Sequence, residues 1–286
     1  MFHIVVPVHN RLDKTVSCLN SLSKLDEELS ILVVDDGSTD GTADFILKNF
    51  PEVEMIQGDG KLFWTGAVER GITHILQKNC SDQDYLILMN NDVRISDLDV
   101  LRKMSTFVEA NQRKVICAPA TLSSSDPDLY ITTGVIVRSW FLNITKKIIE
   151  GVKSEKSLLE TEIEVDFITG RFLLHPIEIF KKIGNYNSAV LSHYGGDDEF
   201  SARCKKQGIK PFVLLNCAVF LDNAFDDTDS IKSKSIVFWM LDPKSNINIV
   251  DKFKLAKCVS PRLSFLTYFI IGAFKSAVIA VRRRYF

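Results

Sequence analysis

The sequence predicts an α/β fold: a mixed, mainly parallel sheet with helices packed on it and a helical C-terminal tail. Three observations predict it. Short apolar runs alternate with helical patterns through the first half, the run Tyr85–Met89 is wholly apolar, and the stretch Phe265–Val281 is apolar between basic residues. Alternating strands and helices are typical of parallel sheets, and a strand without polar residues is buried on both faces.

The predicted elements of the first half alternate between strand and helix. Each strand is a short apolar run, and each helix has apolar residues at helical spacing. In chain order they are strand His3–Val8, helix Asp13–Leu25, strand Ile31–Asp35, helix Thr39–Phe50, strand Val53–Gln57, helix Gly66–Gln77 and strand Tyr85–Met89. This half is therefore expected to form successive βαβ units.

The second half is less regular. Its predicted elements are strands Val115–Ala118, Ile131–Val137 and Ile163–Ile168, helices Pro176–Ile183 and Asp198–Gln207, and strand Phe212–Phe220. No internal repeat or low-complexity linker separates them. We therefore expect one α/β domain over residues 1–225 and a helical extension over residues 226–286.

The composition excludes several classes of protein. A chain of 286 residues with 46% hydrophobic residues can bury a proper core. Its formal net charge of -1 provides no overall basic field for nucleic acid. Six cysteines without a C-x-x-C pair indicate reduced thiols in the cytoplasm. The first apolar run, Ile4–Val8, is short, contains Pro7 and lacks a basic leader, so we expect no export signal.

Two carboxylates, Asp35 and Asp36, end the second predicted strand, before a glycine turn and a helix. Ligands of open α/β sheets bind outside the carboxyl ends of the strands. Carboxylates there can accept hydrogen bonds from a base N–H and from ribose hydroxyls. Ser38, Thr39 or Asp40 can cap the following helix, but capping does not account for the two acids. The pattern favours contact with a nucleotide.

A second polar strand end follows the apolar strand Tyr85–Met89 and contains Asn90, Asn91 and Asp92. A departing diphosphate needs a divalent cation to neutralise its charge, and hard oxygen ligands such as a carboxylate suit Mg²⁺ or Mn²⁺. A turn residue is the alternative interpretation of Asp92.

The third segment, residues 195–203, has a glycine pair followed by Asp197, Asp198 and Glu199 at the start of a predicted helix. Acids at a helix N-terminus are favoured by the helix dipole alone. The functional alternative is a general base that removes the proton of an attacking hydroxyl.

These segments, together and in this order, resemble those of glycosyltransferase family 2, whose fold is GT-A. The matching stretches are V-P-V-H-N-R at 6–11, V-V-D-D-G-S-T-D-G-T at 33–42, the loop at 58–71 with W-T-G at 64–66, L-M-N-N-D at 88–92, V-D-F-I-T-G-R at 165–171, and the acidic segment ending at Arg203. The resemblance extends over residues 3–222, and the N-N-D triplet is similar to that of rhamnosyltransferase-like members.

The resemblance implies roles for individual residues. It implies a nucleotide pocket formed by Pro7, His9, Asn10, Asp35 and Asp36. It implies that Asp92, with Asn90, holds the metal, and that Asp197 is the general base, with Asp198 as the alternative one residue on. It also implies sugar contacts, donor or acceptor, for Thr169, Gly170, Arg171 and Glu199.

Several positions depart from the family pattern or are ambiguous. His9 replaces a tyrosine, and residues 219–223 lack a histidine that Asp222 could replace as a metal ligand. Trp64 and Lys61 lie on a glycine-flanked loop, where the indole could stack on a sugar and the ammonium could approach phosphate. The alternative for Trp64 is that it only covers the sheet. We interpret His193 as a surface-loop histidine, with a phosphate contact as the alternative.

The apolar stretch Phe265–Val281 has basic residues on both sides. At about 1.5 Å per residue it is shorter than the hydrocarbon layer of about 30 Å, so an interfacial helix is favoured over a span. Basic ends attract anionic headgroups. We expect residues 262–286 to bind a membrane surface; the alternative is a dimerisation or docking helix.

The sequence thus predicts an inverting glycosyltransferase that uses a nucleotide-diphosphate sugar, dTDP-rhamnose or a UDP-hexose, with Mn²⁺ or Mg²⁺. The expected acceptor is a glycan or a lipid-linked glycan in surface polysaccharide biosynthesis, at the inner face of the cell membrane. The alternative function is a nucleotide-sugar-binding module with little or no turnover. A nucleotidyltransferase is excluded because the segment Pro7–Asn10 is not a glycine-rich triphosphate loop.

Overall fold

The computed structural model describes residues 1–148, 151–152, 161–222, 236–242 and 245–285. It confirms the predicted α/β class: a mixed sheet with a parallel central part and helices on both faces, followed by C-terminal helices. The predicted boundary between residues 225 and 226 lies outside the described residues.

The strands and helices have the following bounds. The strands are β1 (Phe2–Val8), β2 (Leu29–Asp35), β3 (Glu54–Gln57), β4 (Tyr85–Met89), β5 (Val93–Ile95), β6 (Val115–Ser123), β7 (Leu129–Ile131), β8 (Gly134–Ser139), β9 (Ile144–Ile148), β10 (Gly151–Val152), β11 (Glu162–Glu164), β12 (Phe167–Ile168), β13 (Phe172–Pro176) and β14 (Lys210–Leu221). The helices are α1 (Leu12–Leu22), α2 (Thr42–Asn49), α3 (Phe63–Leu76), α4 (Val100–Ala110), α5 (Ile179–Ile183), α6 (Gly196–Lys206), α7 (Ile236–Leu241), α8 (Ile249–Val259) and α9 (Phe265–Tyr285).

The large sheet has the strand order β10-β7-β6-β13-β4-β1-β2-β3. Strands β3, β2, β1 and β4 are parallel, as the βαβ pattern predicts. Strand β13 lies antiparallel between β4 and β6, and β14 pairs in parallel with β6 and antiparallel with β5 and β11. Strands β12, β8 and β9 form a second, small sheet.

The core has two layers because the central strands are apolar on both faces. Along β1, Ile4 and Val6 face the layer that includes residues of α1, α2 and α4, while Val5 faces the layer of α3, α5 and α6. All five residues of β4 are buried. This arrangement agrees with the burial that its sequence predicts.

The positions of the three central strand ends determine where the site lies. Strands β1 and β2 run in register, with Val8 beside Asp35, and β4 pairs with the other edge of β1. The loops that follow these three strands therefore leave the sheet at the same edge. These loops contain the predicted polar strand ends, with Asp35 and Asp36 after β2 and Asn90–Asp92 after β4.

Two predicted strands of the second half are each divided. The predicted strand Ile131–Val137 consists of the end of β7 and the start of β8, and Ile163–Ile168 consists of parts of β11 and β12. In both cases the two pieces belong to different sheets. Thr133 lies at the first division, where its carbonyl accepts the Thr169 N–H at 2.9 Å and so joins the two crossing segments.

The C-terminal helices pack against the domain and against each other. Helix α8 contacts both α6 and α9. Helix α9 has 21 residues, which is about 31 Å at 1.5 Å per residue. By length and composition its stretch Phe265–Arg282 could cross a bilayer. The helix extends four residues beyond the predicted apolar stretch, into the basic residues that follow it.

Candidate active site

A cavity of about 670 Å³ lies at the carboxyl ends of the three central strands. Its walls come from the loop after β1, the loop after β2, the start of α3, the loop after β4, residues 193–194 and the C-terminal segment. The lining residues are Pro7, Val8, His9, Asn10, Arg11, Asp36, Gly60, Phe63, Trp64, Ala67, Asn90, Asn91, Asp92, His193, Tyr194, Trp239, Asp242, Ser245 and Asn246. This volume matches that of a small-molecule site.

The carboxylates of Asp35 and Asp36 are both buried and both bonded. Asp35 accepts hydrogen bonds from the N–H and the hydroxyl of Ser38, which fixes the glycine turn. Asp36 Oδ1 accepts from Gly60 N at 2.8 Å, and its Oδ2 accepts from Phe63 N at 3.0 Å. The Asp36 carboxylate therefore holds the loop before α3 against the end of β2. Asp36 is also one of the residues that line the cavity.

The loop after β1 presents His9 and Asn10 to the cavity. His9 Nδ1 lies 2.6 Å from the Asp36 carbonyl oxygen, which can only accept, so Nδ1 carries a proton. Asn10 Oδ1 accepts from Thr39 N at 2.8 Å, and Asn10 N donates to Ser38 Oγ at 2.7 Å. Pro7 is buried at the cavity wall. These bonds join the loops after β1 and β2 into one wall.

Trp64 connects the nucleotide side of the cavity to the second half of the chain. Its Nε1 donates to Asn90 Oδ1 at 2.8 Å. The edge of its ring lies so close to Gly170 that a Cβ at that position would be 2.6 Å from Trp64 Cη2. Lys61, by contrast, is exposed and is not one of the residues that line the cavity.

Asp92 has the features of a metal ligand. Among the described residues its Oδ1 is buried without a hydrogen-bond partner, and the nearest cationic atom to its Oδ2 is Arg11 Nη1 at 3.7 Å. Burial raises the pKa of the Asp92 carboxyl, and the positive charges of Arg11, Lys14 and Arg171 oppose that rise. A divalent cation at this carboxylate would supply the missing partner, so the residue fits a metal.

The other two residues predicted as metal ligands are engaged with protein groups. Asn90 Oδ1 accepts the Trp64 indole N–H, although an amide oxygen has a second lone pair. The Asp222 carboxylate forms a bidentate pair with Arg94, with its oxygens at 2.8–2.9 Å from the guanidinium nitrogens. It does not line the cavity. Asp92 is therefore the principal candidate ligand.

Asp197 lies at the first turn of α6, behind Trp64 and Gly170. Its Oδ2 accepts from Gly170 N at 2.9 Å and its Oδ1 accepts from Asp198 N at 3.0 Å. Burial raises the pKa of the carboxyl, and these two hydrogen bonds and the Arg171 charge oppose the rise. It does not line the cavity, although Gly170, its hydrogen-bond donor, touches Trp64, which does.

Asp198 is in a different environment from Asp197. Burial, followed by the negative charge of Asp197, raises the pKa of the Asp198 carboxyl well above its usual value, and the Lys252 ammonium opposes this. Asp197 has two backbone N–H donors that stabilise its ionised form. Asp197 is therefore the more acidic member of the pair.

The four predicted sugar-contact residues have distinct partners. Thr169 bonds to the Thr133 carbonyl through its N–H and its hydroxyl, and Glu199 pairs with Arg203 at 2.7–3.0 Å. Arg171 donates to the Thr132 carbonyl at 2.7 Å. Burial lowers the pKa of its guanidinium, and the charges of Asp92 and Asp197 oppose this. Arg171 thus interacts electrostatically with both the candidate metal ligand and the candidate base.

Several residues of the cavity lie outside the site predicted from the sequence. Arg11 lies within the quoted V-P-V-H-N-R motif and could have been recognised there. Trp239, Asp242, Ser245 and Asn246 come from a part of the chain without a sequence pattern. His193 lies on the cavity wall, where its Nδ1 is 3.4 Å from Trp64 N, so its interpretation as a surface histidine was wrong.

A separate group of potential metal ligands consists of His3, Cys80 and Asp84, whose ligand atoms lie within 4.8 Å of one another. His3 is near the start of β1 and Asp84 precedes β4. The group is therefore at the edge of the sheet opposite the cavity. His3 Nε2 and the Met1 amino group both lie 3.3 Å from the Asp84 carboxylate, which explains the cluster as an ion-pair group.

Solved structures share this fold at low sequence identity. GalNAc-T7 with UDP, GalNAc and Mn²⁺ has a TM-score of 0.60 and 16% identity over 79% of this chain. The chain covers only 44% of the GalNAc-T7 chain. The mannosyltransferase PcManGT from Pyrobaculum calidifontis, with GDP-Man and Mn²⁺, has a TM-score of 0.54 and 13% identity. The match covers 98% of this chain and 74% of the PcManGT chain.

Residues 1–349 of TarS from S. aureus, in complex with UDP-GlcNAc, match with a TM-score of 0.54 and 15% identity, over 90% of this chain and 70% of that chain. No curated protein matches the sequence. The fold is the GT-A fold of these glycosyltransferases. The family model of glycosyl transferase family 2 matches residues 3–183, which is more than half of the sequence, and the chain therefore belongs to that family.

Proposed function

We propose that the protein is an inverting glycosyltransferase that transfers a sugar from a nucleotide-diphosphate donor to a glycan or lipid-linked acceptor. The observation that carries the proposal is the buried Oδ1 of Asp92, which has no hydrogen-bond partner in the described part of the chain and lies on the wall of a cavity that Asp36 also lines. The hydrogen-bonded loops after β1 and β2 form a wall that can hold a nucleoside. The loop after β4 forms the other wall, where the Asp92 carboxylate can bind a cation. A diphosphate with a divalent cation satisfies both.

The nucleoside part of the donor is proposed to lie between the loops after β1 and β2. Pro7, His9, Asn10 and Asp36 line that side of the cavity. Because its Nδ1 bonds to the Asp36 carbonyl, His9 in its neutral form offers Nε2 as a hydrogen-bond acceptor. Asp35 supports this wall through Ser38. In the neighbouring fold members, UDP, GDP-Man and UDP-GlcNAc are the bound nucleotides.

The cation is proposed to be Mn²⁺ or Mg²⁺, held by Asp92 with Asn90 close by. Its chemistry is to neutralise the charge of the leaving diphosphate. Arg11 and Arg171 add positive charge around the same carboxylate. Two of the neighbouring structures contain Mn²⁺.

Asp197 is proposed to act as the general base. The acceptor oxygen attacks the anomeric carbon, the bond from that carbon to the phosphate oxygen breaks, and the nucleoside diphosphate leaves with the electron pair. The acceptor proton moves to Asp197, and attack opposite to the leaving group inverts the anomeric centre. A pKa raised by burial brings the carboxyl closer to the working pH, which favours this role.

The test measures the release of nucleoside diphosphate by the purified chain from UDP, dTDP and GDP sugars. Each donor is assayed with Mn²⁺, with Mg²⁺ and with a chelator. We expect Asp197→Asn to lower transfer by about 10²- to 10⁴-fold with little change in donor affinity. Asp198→Asn is the matched control. If Asp198→Asn abolishes transfer and Asp197→Asn does not, the assignment of the base is wrong.

One observation favours the alternative, a nucleotide-sugar-binding module with little turnover. Asp197 does not line the cavity, because Trp64 and Gly170 lie in front of it. For transfer, the acceptor has to approach Asp197 past the Trp64 ring. Tight donor binding without release of nucleoside diphosphate, for any donor and acceptor offered, would support this alternative.

The cellular role is proposed to be surface polysaccharide biosynthesis for the cell envelope, at the cytoplasmic side of the membrane. The proposed membrane contact is through residues 262–286, and dTDP-rhamnose and UDP-hexoses are the first donors to test. Two features support this role: an exposed apolar face on α9, with Leu266, Ile270 and Phe274, and six reduced cysteines.

A further inference from the structure

Arg11 is the N-cap residue of α1, and its backbone is fixed in an unusual conformation. Asn10 and Arg11 have φ angles of 59° and 67°, in the left-handed region that an arginine seldom adopts. The loop after β2 holds both neighbours of Arg11 in place. Asn10 N donates to Ser38 Oγ at 2.7 Å, and Leu12 N donates to Asp40 Oδ2 at 3.1 Å. The backbone of Arg11 is therefore held firmly where its side chain lines the cavity.

The Arg11 guanidinium has few contacts with the protein. Within the described part of the chain it forms one ion pair, with Asp92, and no hydrogen bond. Its Nη1 lies 3.7 Å from Asp92 Oδ2, beyond the usual hydrogen-bond range of about 2.7–3.2 Å. The Arg11 side chain is 48% exposed. The guanidiniums of Arg94 and Arg171, by contrast, donate hydrogen bonds to protein oxygens. The N–H donors of Arg11 are therefore available to a ligand of the cavity.

A divalent cation and the Arg11 guanidinium compete for the same carboxylate. The guanidinium compensates the charge of Asp92 but leaves its buried Oδ1 without a hydrogen-bond partner among the described residues. A cation at Asp92 would neutralise the charge that attracts Arg11, and it would repel the guanidinium because like charges at such short range disfavour each other. Arg11 would then need another anion. A diphosphate provides oxygens that a guanidinium can bind through two parallel hydrogen bonds.

We propose that Arg11 binds the diphosphate of the donor and thereby couples donor binding to cation binding. In the protein without ligands, the Arg11 guanidinium compensates the charge of Asp92. With a cation at Asp92, the guanidinium moves away from the carboxylate and donates hydrogen bonds to the diphosphate. The same side chain thus weakens the binding of a cation alone and strengthens the binding of a nucleoside diphosphate together with a cation. This inference rests on the proposed function, because both ligands have to share the cavity.

The other basic residues near this position fit the role less well. Lys14 and Arg171 also act electrostatically on Asp92, but neither lines the cavity, and each donates a hydrogen bond to a backbone carbonyl. Lys61 is exposed and lies outside the cavity lining. Among the described residues, Arg11 is the one arginine or lysine that lines the cavity.

The experiment uses titration calorimetry on the full chain and measures two affinities. The first is the affinity for Mn²⁺ alone, and the second is the affinity for UDP, dTDP or GDP at saturating Mn²⁺. Arg11→Gln is expected to raise the first by about two- to fivefold, because a competing positive charge is lost. It is expected to lower the second by about tenfold or more, because charged hydrogen bonds are lost.

Two further measurements separate a phosphate contact from damage to the cavity. The affinity for the corresponding nucleoside, uridine, thymidine or guanosine, should be the same for Arg11→Gln and the wild type. Arg11→Lys keeps the charge but not the paired donors. It should therefore keep the wild-type affinity for Mn²⁺ alone and recover part of the affinity for the nucleoside diphosphate.

Lys14→Gln is the matched control. It also removes a positive charge that acts on Asp92, but outside the cavity lining, so the affinity for the nucleoside diphosphate should stay the same. An equal loss in Lys14→Gln and Arg11→Gln would overturn the proposal, because it would reflect overall charge and not a contact.

Two other results would also overturn the role of Arg11. The first is wild-type affinity of Arg11→Gln for the nucleoside diphosphate at saturating Mn²⁺. The second is an unchanged or lower affinity of this variant for Mn²⁺ alone. In both cases a wild-type chain that binds the nucleoside diphosphate leaves the proposed function intact. A wild-type chain that binds none of UDP, dTDP and GDP with Mn²⁺ would contradict the proposed function as well.

Discussion

In the loop after β2, both carboxylate oxygens of Asp36 accept backbone N–H groups, whereas in the loop after β4 one oxygen of Asp92 has no partner among the described residues. Both residues line the same cavity. The protein therefore uses one acid to hold its own loop and leaves the other to a ligand. Acids at neighbouring strand ends, similar in sequence, have different physical roles.

The same contrast applies to Asp222 and Asp197. Asp222 is paired with Arg94, while Asp197 accepts hydrogen bonds from two backbone N–H groups and has no ion-pair partner within 4 Å among the described residues. A carboxylate that a guanidinium already neutralises gains less from a cation than an unpaired one. Asp222 is therefore less available to a cation than Asp92, whose Oδ1 has no hydrogen-bond partner among the described residues.

Of the substitutions that test this contrast, Asp92→Asn is expected to have the largest effect on transfer. Loss of the anionic ligand should lower metal-dependent transfer by about 100-fold or more. Stability should stay the same or rise, because burial already disfavours the charge. Transfer assays over a Mn²⁺ series and urea unfolding measure the two effects. Asp13→Asn, an exposed change on α1, is the control, and unchanged Mn²⁺ dependence would exclude Asp92 as the ligand.

Asp36→Asn is expected to act through stability. The amide keeps one acceptor but presents an NH₂ group to the second backbone N–H, which should cost about 1–3 kcal/mol in the free energy of unfolding. Urea unfolding measures it. Asp59→Asn, in the same loop, is the control, because its amide oxygen can still accept the exposed hydrogen bond from Lys61 N. Equal stability of both variants would contradict the structural role of Asp36.

Arg171→Gln is expected to change the pH dependence of transfer. The base works in its ionised form, so transfer rises with pH as Asp197 loses its proton. The Arg171 charge lowers the pKa of Asp197, so its removal raises that pKa and moves the acidic limb of the kcat/KM profile to higher pH. Arg171→Lys keeps the charge and should keep the limb. A limb at the same pH in both variants would argue against Asp197 as the titrating group.

Asp222→Asn has the smallest expected effect. The pair with Arg94 is partly exposed, and its loss should cost less than about 1 kcal/mol, with transfer and Mn²⁺ affinity nearly unchanged. Titration calorimetry with Mn²⁺ measures the affinity. A tenfold weaker affinity would instead make Asp222 a ligand, as the family resemblance allows.

The sequence predicted the parallel half of the fold well because local and tertiary preferences agree there. Strand β4 has its predicted bounds, and β1 and β2 differ from theirs by one and two residues. Helix α4 was missed, although Val100, Leu101, Met104 and Val108 are buried at helical spacing and could have indicated it. Strand β13 was missed because its place between β4 and β6 depends on pairing across the sheet.

The motifs correctly indicated the edge of the sheet where the cavity lies, because strand ends can be found from apolar runs. They could not indicate which carboxylate is bonded to the protein, since the partners of Asp36 and Asp222 come from other loops and strands. The contribution of residues 239–246 to the cavity also depends on the packing of distant segments. Such contacts leave no local pattern in the sequence.

The indole N–H of Trp64 donates to the amide oxygen of Asn90. Because of this hydrogen bond, the fluorescence of Trp64 can report on changes at Asn90. The chain has three tryptophans: Trp64 beside the candidate ligand Asp92, Trp239 on the cavity wall and Trp140 against α9. A cation that takes the Asn90 oxygen would alter Trp64 emission, whereas a bilayer would alter that of Trp140. Chains that keep one tryptophan each, with Phe at the other two positions, would report the two events as separate fluorescence signals.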